Sequence, residues 1–170
     1  MTFLTRASLL VLVLLMARPI AGQELHDSGI TLVGAAIAES GAAIQIYSSV
    51  QARERCDINE AVLAAEAERA FRRDGIDAQR VFLPDTGVVL NLVVLAIDAG
   101  AGFCAAALRV ELLLISSAAA GLPPMLAAQG LTVMDWNRRE YVPATRARVE
   151  EYVSVIANAV RRARDEWQGR

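Results

Sequence analysis

From Ala7 to Met16 the chain is uncharged and dominated by Leu and Val, after a short opening, Met1 to Arg6, with one positive charge. Ala17 to Gly22 follows and ends in small residues. This three-part pattern predicts a secretory signal peptide over residues 1–22, cut after Gly22. Its apolar stretch is about half of the roughly 20 residues that a membrane-spanning helix requires, which argues against a retained anchor. A lipid anchor needs a cysteine at the cleavage site, where this chain has Gln23.

Beyond the leader, short apolar runs alternate with turn chemistry. Gln23 to Gly29 is polar and reads as a loose opening segment. Residues 30–38 and 42–50 are small or β-branched, with Glu39-Ser40-Gly41 between them, and predict two strands of a hairpin; the alanines of the first would also suit a helix. Asp57 with Glu60 three residues later predicts a capped helix start. The Ala- and Glu-rich run to Asp74 continues that helix, with Ile58, Val62, Leu63, Ala67 and Phe71 on one face and Gly75 as its stop.

Pro84 to Gly87 reads as a turn and Val88 to Ile97 as an almost continuously apolar strand. Phe103 to Ile115 alternates, placing Cys104, Ala106, Leu108, Val110 and Leu112 on one side and Ala105, Ala107, Arg109 and Glu111 on the other. These two runs are expected to pair as a central antiparallel hairpin. Asn91, the polar intruder in the first, reads as a satisfied core or edge residue. Ser116 to Gly130 reads as a connection and Leu131 to Trp136 as another short strand. The last helix opens at Thr145 and carries Val149, Tyr152, Val153, Ile156, Val160, Ala163 and Trp167 on one stripe.

The order is therefore β-β-α-β-β-β-α. The expected fold is α+β: an antiparallel sheet of about four to five strands with two helices packed on one face, as one domain over residues 23–170.

Composition narrows the function more than it names it. Removing Arg6 and Arg18 with the leader leaves fifteen basic against nineteen acidic residues, a net charge of −4, so nucleic acid is not an expected partner. The chain contains no lysine, which excludes a Schiff base, a Ser-Lys dyad and the usual P-loop. Cys56 and Cys104, an even pair in an exported chain, are expected to form a disulfide.

Candidate chemistry is sparse. His26, the single histidine, stands beside Asp27 and Ser28, and adjacent residues cannot face one another as a triad must. One histidine and two bridged cysteines fall short of a zinc site, and no spaced Asp/Asn loop suggests calcium. Gly100-Ala101-Gly102-Phe103-Cys104-Ala105 matches a dinucleotide fingerprint in letters, but β-alternation follows it where a helix is required. No cofactor is expected. Asp85, Asp98, Asp135 and Glu140 stand near strand ends and keep a carboxylate-based hydrolase open as a minor alternative.

The most site-like cluster is Trp136, Arg138, Arg139 and Tyr141, which mixes the residue types that dominate binding interfaces. The competing reading has Trp136 and Tyr141 closing one end of the core. Pro123, Pro124 and Met125, within an apolar connection, form a second candidate docking segment. The resulting expectation is a non-enzymatic periplasmic or secreted accessory protein that binds another envelope component, protein or glycan, with no stable membrane anchor. A small-ligand or glycan-binding protein is the alternative.

Overall fold

The apolar run and the alternating run after it do form the central hairpin: Leu90 pairs with Leu112, Leu92 with Val110 and Val94 with Leu108. The computed structural model describes residues 21–52, 56–81, 87–115 and 123–170. Along them lie β1 (Ala21–Leu25), α1 (Asp27–Ser40), β2 (Ile44–Ala52), α2 (Glu60–Arg73), β3 (Ala78–Arg80), β4 (Gly87–Gly100), β5 (Phe103–Ile115), β6 (Met125–Asn137) and α3 (Arg138–Gln168). Most of the leader and the turn before Gly87 lie outside the described residues; Ala21 and Gly22 open β1.

The fold is α+β, but among the described residues its sheet is mixed and six-stranded, ordered β1-β6-β5-β4-β2-β3, with three helices rather than two. The expected first hairpin is absent because residues 30–38 are helical. In α1 the alanines and buried Ile30, Val33 and Ile37 follow a helical stripe, and Gly41, at φ 63°, ends it. Freed from that hairpin, β2 pairs in parallel with β4 and β3, with α2 as the crossover between them. Gln23 to Gly29 is not loose: β1 adds antiparallel to β6, and the His26 amide donates to Ala127 O at 2.9 Å before α1 begins.

Two helix starts also differ from the pattern. Asn59, not Asp57, caps α2, its side chain accepting from the Ala61 amide, while the Glu60 carboxylate reaches across to the Val50 amide. Asn137 caps α3 by accepting from the amides of Arg139 and Glu140, so this helix starts seven residues before Thr145 and runs through Pro143. β6 is likewise longer than Leu131 to Trp136, since half-buried and buried small residues from Met125 onward pair with β5.

All three helices cover the same sheet face, and the core lies between the layers. Ile44, Ile46, Leu90, Leu92, Leu108, Leu112, Phe71, Val153 and Ile156 are buried there. Glycine sets the spacing of α1. A Cβ on Gly29 would lie 2.6 Å from Ala127 Cα, and one on Gly34 would lie 2.6 Å from Ala163 Cβ. Two buried polar groups of this layer are paired: Tyr152 shares a hydrogen bond with Thr132, and Glu66 accepts from Arg146 and Arg69.

Candidate functional site

The aromatic-arginine cluster falls at the junction where β6 becomes α3, and the fold separates its members. Tyr141 is fully buried, Trp136 is half-buried against the core, and Arg139 is exposed. Arg138 donates through its guanidinium to Asp98 at 2.6 Å, and its amide donates to Gly102 O at 2.9 Å, which ties α3 to the β4–β5 turn. Burial holds the Tyr141 hydroxyl above its ordinary pKa, against the lowering effect of the Thr145 side chain, and by geometry that hydroxyl makes no hydrogen bond among the described residues. Trp136 Nε1 and Arg138 Nε, in the same segment, are buried and have no hydrogen-bond partner among the described residues.

The disulfide fastens this end. Cys56 and Cys104 are joined with an S–S distance of 2.13 Å and Cα atoms 5.7 Å apart. Cys104 lies beside Trp136 on the neighbouring strand, and Cys56 precedes α2, so the bridge clamps the helix layer to the sheet next to the β4–β5 turn. That turn is tight: Gly100 pairs with Phe103, and both residues between them, Ala101 at φ 47° and Gly102 at φ 85°, are left-handed. A hairpin, not a nucleotide loop, occupies the glycines.

Pro123 and Pro124 are exposed and Met125 half-buried, all at the opposite end of β6. From Met125 to Asn137 the strand spans about 40 Å at its usual rise per residue, so the two candidate segments do not meet. The carboxylates are dispersed too. Asp98 engages Arg138, Asp135 points from the uncovered sheet face, Glu140 is exposed in the first turn of α3, and Asp85 lies outside the described residues. His26 is exposed before α1. Among the described residues, no three His, Cys, Asp or Glu side chains gather in a geometry that would hold a metal ion.

The feature the sequence reading missed is the sheet face opposite the helices. Leu95 (47% exposed), Ile97 (57%), Phe103 (45%), Leu131 (47%) and Val133 (51%) all lie on it. The registers arrange them in rows: Val93, Arg109 and Leu131 in one, Leu95, Ala107 and Val133 in the next, Ile97, Ala105 and Asp135 in the third. One row earlier runs a polar band, Tyr47, Asn91, Glu111 and Gln129, with Glu24 beyond. Glu111 is buried, accepting from Asn91 Nδ2 at 3.0 Å and from the Arg109 guanidinium; Asn91 Oδ1 has no partner among the described residues. The concavity at this face, lined by Gln51, Leu95 and Ile97, is an open cleft at the rim of β2 and β4.

No family model matches the chain, and no curated protein matches its sequence. Among solved structures it is similar to PelC from Paraburkholderia phytofirmans, a dodecamer. A point variant of that protein aligns with a TM-score of 0.51 at 12% identity, covering 82% of this chain and 98% of the other. A second crystal form of the PelC dodecamer gives a TM-score of 0.49 with the same identity and coverage. At that identity the likeness is one of fold.

The signal for the uncovered face was present in β4. A strand with helices on one side only should alternate, as β5 does, whereas Val88 to Ile97 is apolar at nearly every position. Its outward residues therefore form a second apolar surface. Among the described residues, no helix is long and apolar enough to cross a membrane.

Proposed function

We propose that this chain is an exported, periplasmic or secreted accessory protein that works by contact with other envelope components and not by catalysis. The sheet face that no described helix covers carries the reading. Five large apolar side chains exposed on neighbouring rows of one rigid sheet exceed what a freely diffusing monomer commonly displays, and a flat apolar surface rimmed by polar residues suits a macromolecular partner. A small-molecule site would instead call for a deep concavity with convergent polar groups.

Other features agree. The disulfide suits an oxidising compartment, which fits the leader over residues 1–22. PelC, whose fold is similar, is a dodecamer, and this favours a protein that works as an assembly of copies. Exposed Arg139, beside the turn that Arg138 anchors, supplies a secondary contact at the disulfide-clamped end.

Crosslinked capture from the native periplasm tests the reading. Wild-type protein should retain a specific envelope component, and Val133→Asp should lose it while keeping the native circular dichroism spectrum. Arg138→Ala with Arg139→Ala probes the other end. Equal capture by wild type and Val133→Asp would reject the sheet face as the contact.

A further inference from the structure

We propose that the helix-free face joins two copies of this chain, stacked sheet to sheet about a two-fold axis that crosses the strands over Leu95, Ala107 and Val133. The inference rests on the reading of that face as an interaction surface. Rotation about this axis lays each strand over its own copy in the reversed direction. Leu95, Ala107 and Val133 then meet themselves, and Val93 lies over Ile97 of the second copy.

The charges select this axis. Arg109 stands in the row on one side of the centre and Asp135 in the row on the other, on neighbouring strands. After the rotation, Asp135 of the second copy lies over Leu131, one strand spacing of about 4.8 Å to the side of Arg109. Stacked sheets sit about 10 Å apart, a gap that an arginine and an aspartate extended toward each other can span. Two symmetric Arg–Asp pairs thus flank an apolar centre. An axis running along β5 would set Arg109 on Arg109 of the second copy, a like-charge contact.

The area is sufficient. Strands β2, β4, β5 and β6, with rows from Asn91 to the hairpin end, give about 650 Å² of flat surface at the usual strand and residue spacings. Side-chain relief brings that close to the 800 Å² or so per partner of a standard stable interface. The polar band of Tyr47, Asn91, Glu111 and Gln129 then lies at the rim, where interfaces carry their polar groups.

Light-scattering mass and sedimentation of the leader-free protein, with its disulfide intact, test the pairing. The wild type should show at least twice the chain mass. Val133→Asp, which sets like charges against each other at the axis, should abolish the pair, and Asp135→Arg should weaken it about tenfold or more. Val133→Cys should link to itself through a short bismaleimide, whereas Val155→Cys, exposed on α3, should not. A wild-type monomer, an unchanged mass in Val133→Asp, or linking at Val155→Cys alone would overturn the proposal. A monomer whose Val133→Asp variant loses the envelope component would overturn the second copy and leave the accessory reading standing; a pair that captures nothing would do the reverse.

Discussion

Gly34→Ala should destabilise the protein even though it improves the helix that contains it. In isolation, alanine in the middle of α1 would gain about 1 kcal/mol of helix propensity. The added Cβ, however, would lie 2.6 Å from Ala163 Cβ and 2.7 Å from both Ala163 C and Arg164 N. Two of those neighbours are backbone of α3, so no rotamer change relieves them. α1 must retreat by roughly 1 Å, and a gap of that order forfeits a quarter to a half of each dispersion contact along Ile30, Val33 and Ile37. Overpacking of this kind costs about 1–3 kcal/mol; with the lost contacts added and the propensity gain set against them, the net loss is about 1–2 kcal/mol. For a chain of this size that lowers the melting temperature by about 3–6 °C. Equilibrium urea unfolding with the disulfide intact would measure it. Adding Ala163→Gly should not restore stability, because the backbone contacts persist and a second helix then carries glycine. Gly41→Ala is the comparison: with φ 63° and open space around it, it should show only left-handed strain of about 1 kcal/mol. A Gly34→Ala protein as stable as the wild type would refute the close approach of α1 to α3.

Three further outcomes are expected. Ala101→Gly should stabilise by about 1 kcal/mol in the same urea assay, because the left-handed φ of 47° in the β4–β5 turn penalises a Cβ; a loss of stability would mean that the turn is not left-handed in solution. Ile156→Ala, at a fully buried position of α3, should cost about 2–4 kcal/mol, and an unchanged melting temperature would show that this stripe is not docked. Tyr141, whose pKa is raised by burial, keeps its proton in the folded state after the unfolded chain begins to lose it near pH 10, so its contribution, complete below that pH, is lost as pH rises further. Tyr141→Phe should be neutral or slightly stabilising at pH 7, since it removes a buried hydroxyl that makes no hydrogen bond among the described residues, and should show a shallower alkaline decline; an identical alkaline profile would place Tyr141 in water.

Legibility in the sequence followed the range of the interactions involved. The β4–β5 hairpin, the apolar stripe of α3, the stop at Gly75 and the Cys56–Cys104 bridge each rest on a local pattern or on a pairing with no competitor, and they were readable. Residues 30–38 were ambiguous because Ala, Val and Ile serve either element. The choice was made by tertiary contacts, with Gly29 seating α1 on β6 and Gly34 seating it on α3. Once that segment is a helix, β2 must find its partners after α2, which turns an antiparallel expectation into a mixed sheet. The start of α3 was hidden by Pro143, which reads as a breaker but is outweighed by the double cap at Asn137 and the burial of Tyr141.

The candidate site was illegible for a related reason. Trp136, Arg138 and Tyr141 look like an interface when read as neighbours in sequence, yet a strand-to-helix junction sends consecutive side chains to different environments: one against the core, one onto Asp98, one fully inside. Leu95, Ile97, Phe103, Leu131 and Val133 have the opposite history. They are spread over three strands, each looks like an ordinary core residue in its own segment, and only the registers of β4, β5 and β6 gather them on one surface. An exposed leucine alone carries no message, but a row of them across a sheet does, because each uncovered side chain adds apolar area to the same plane. A two-layer fold with an apolar outer sheet face is one layer short of burying it, and the face-to-face pairing about Leu95, Ala107 and Val133 supplies that layer from a second copy.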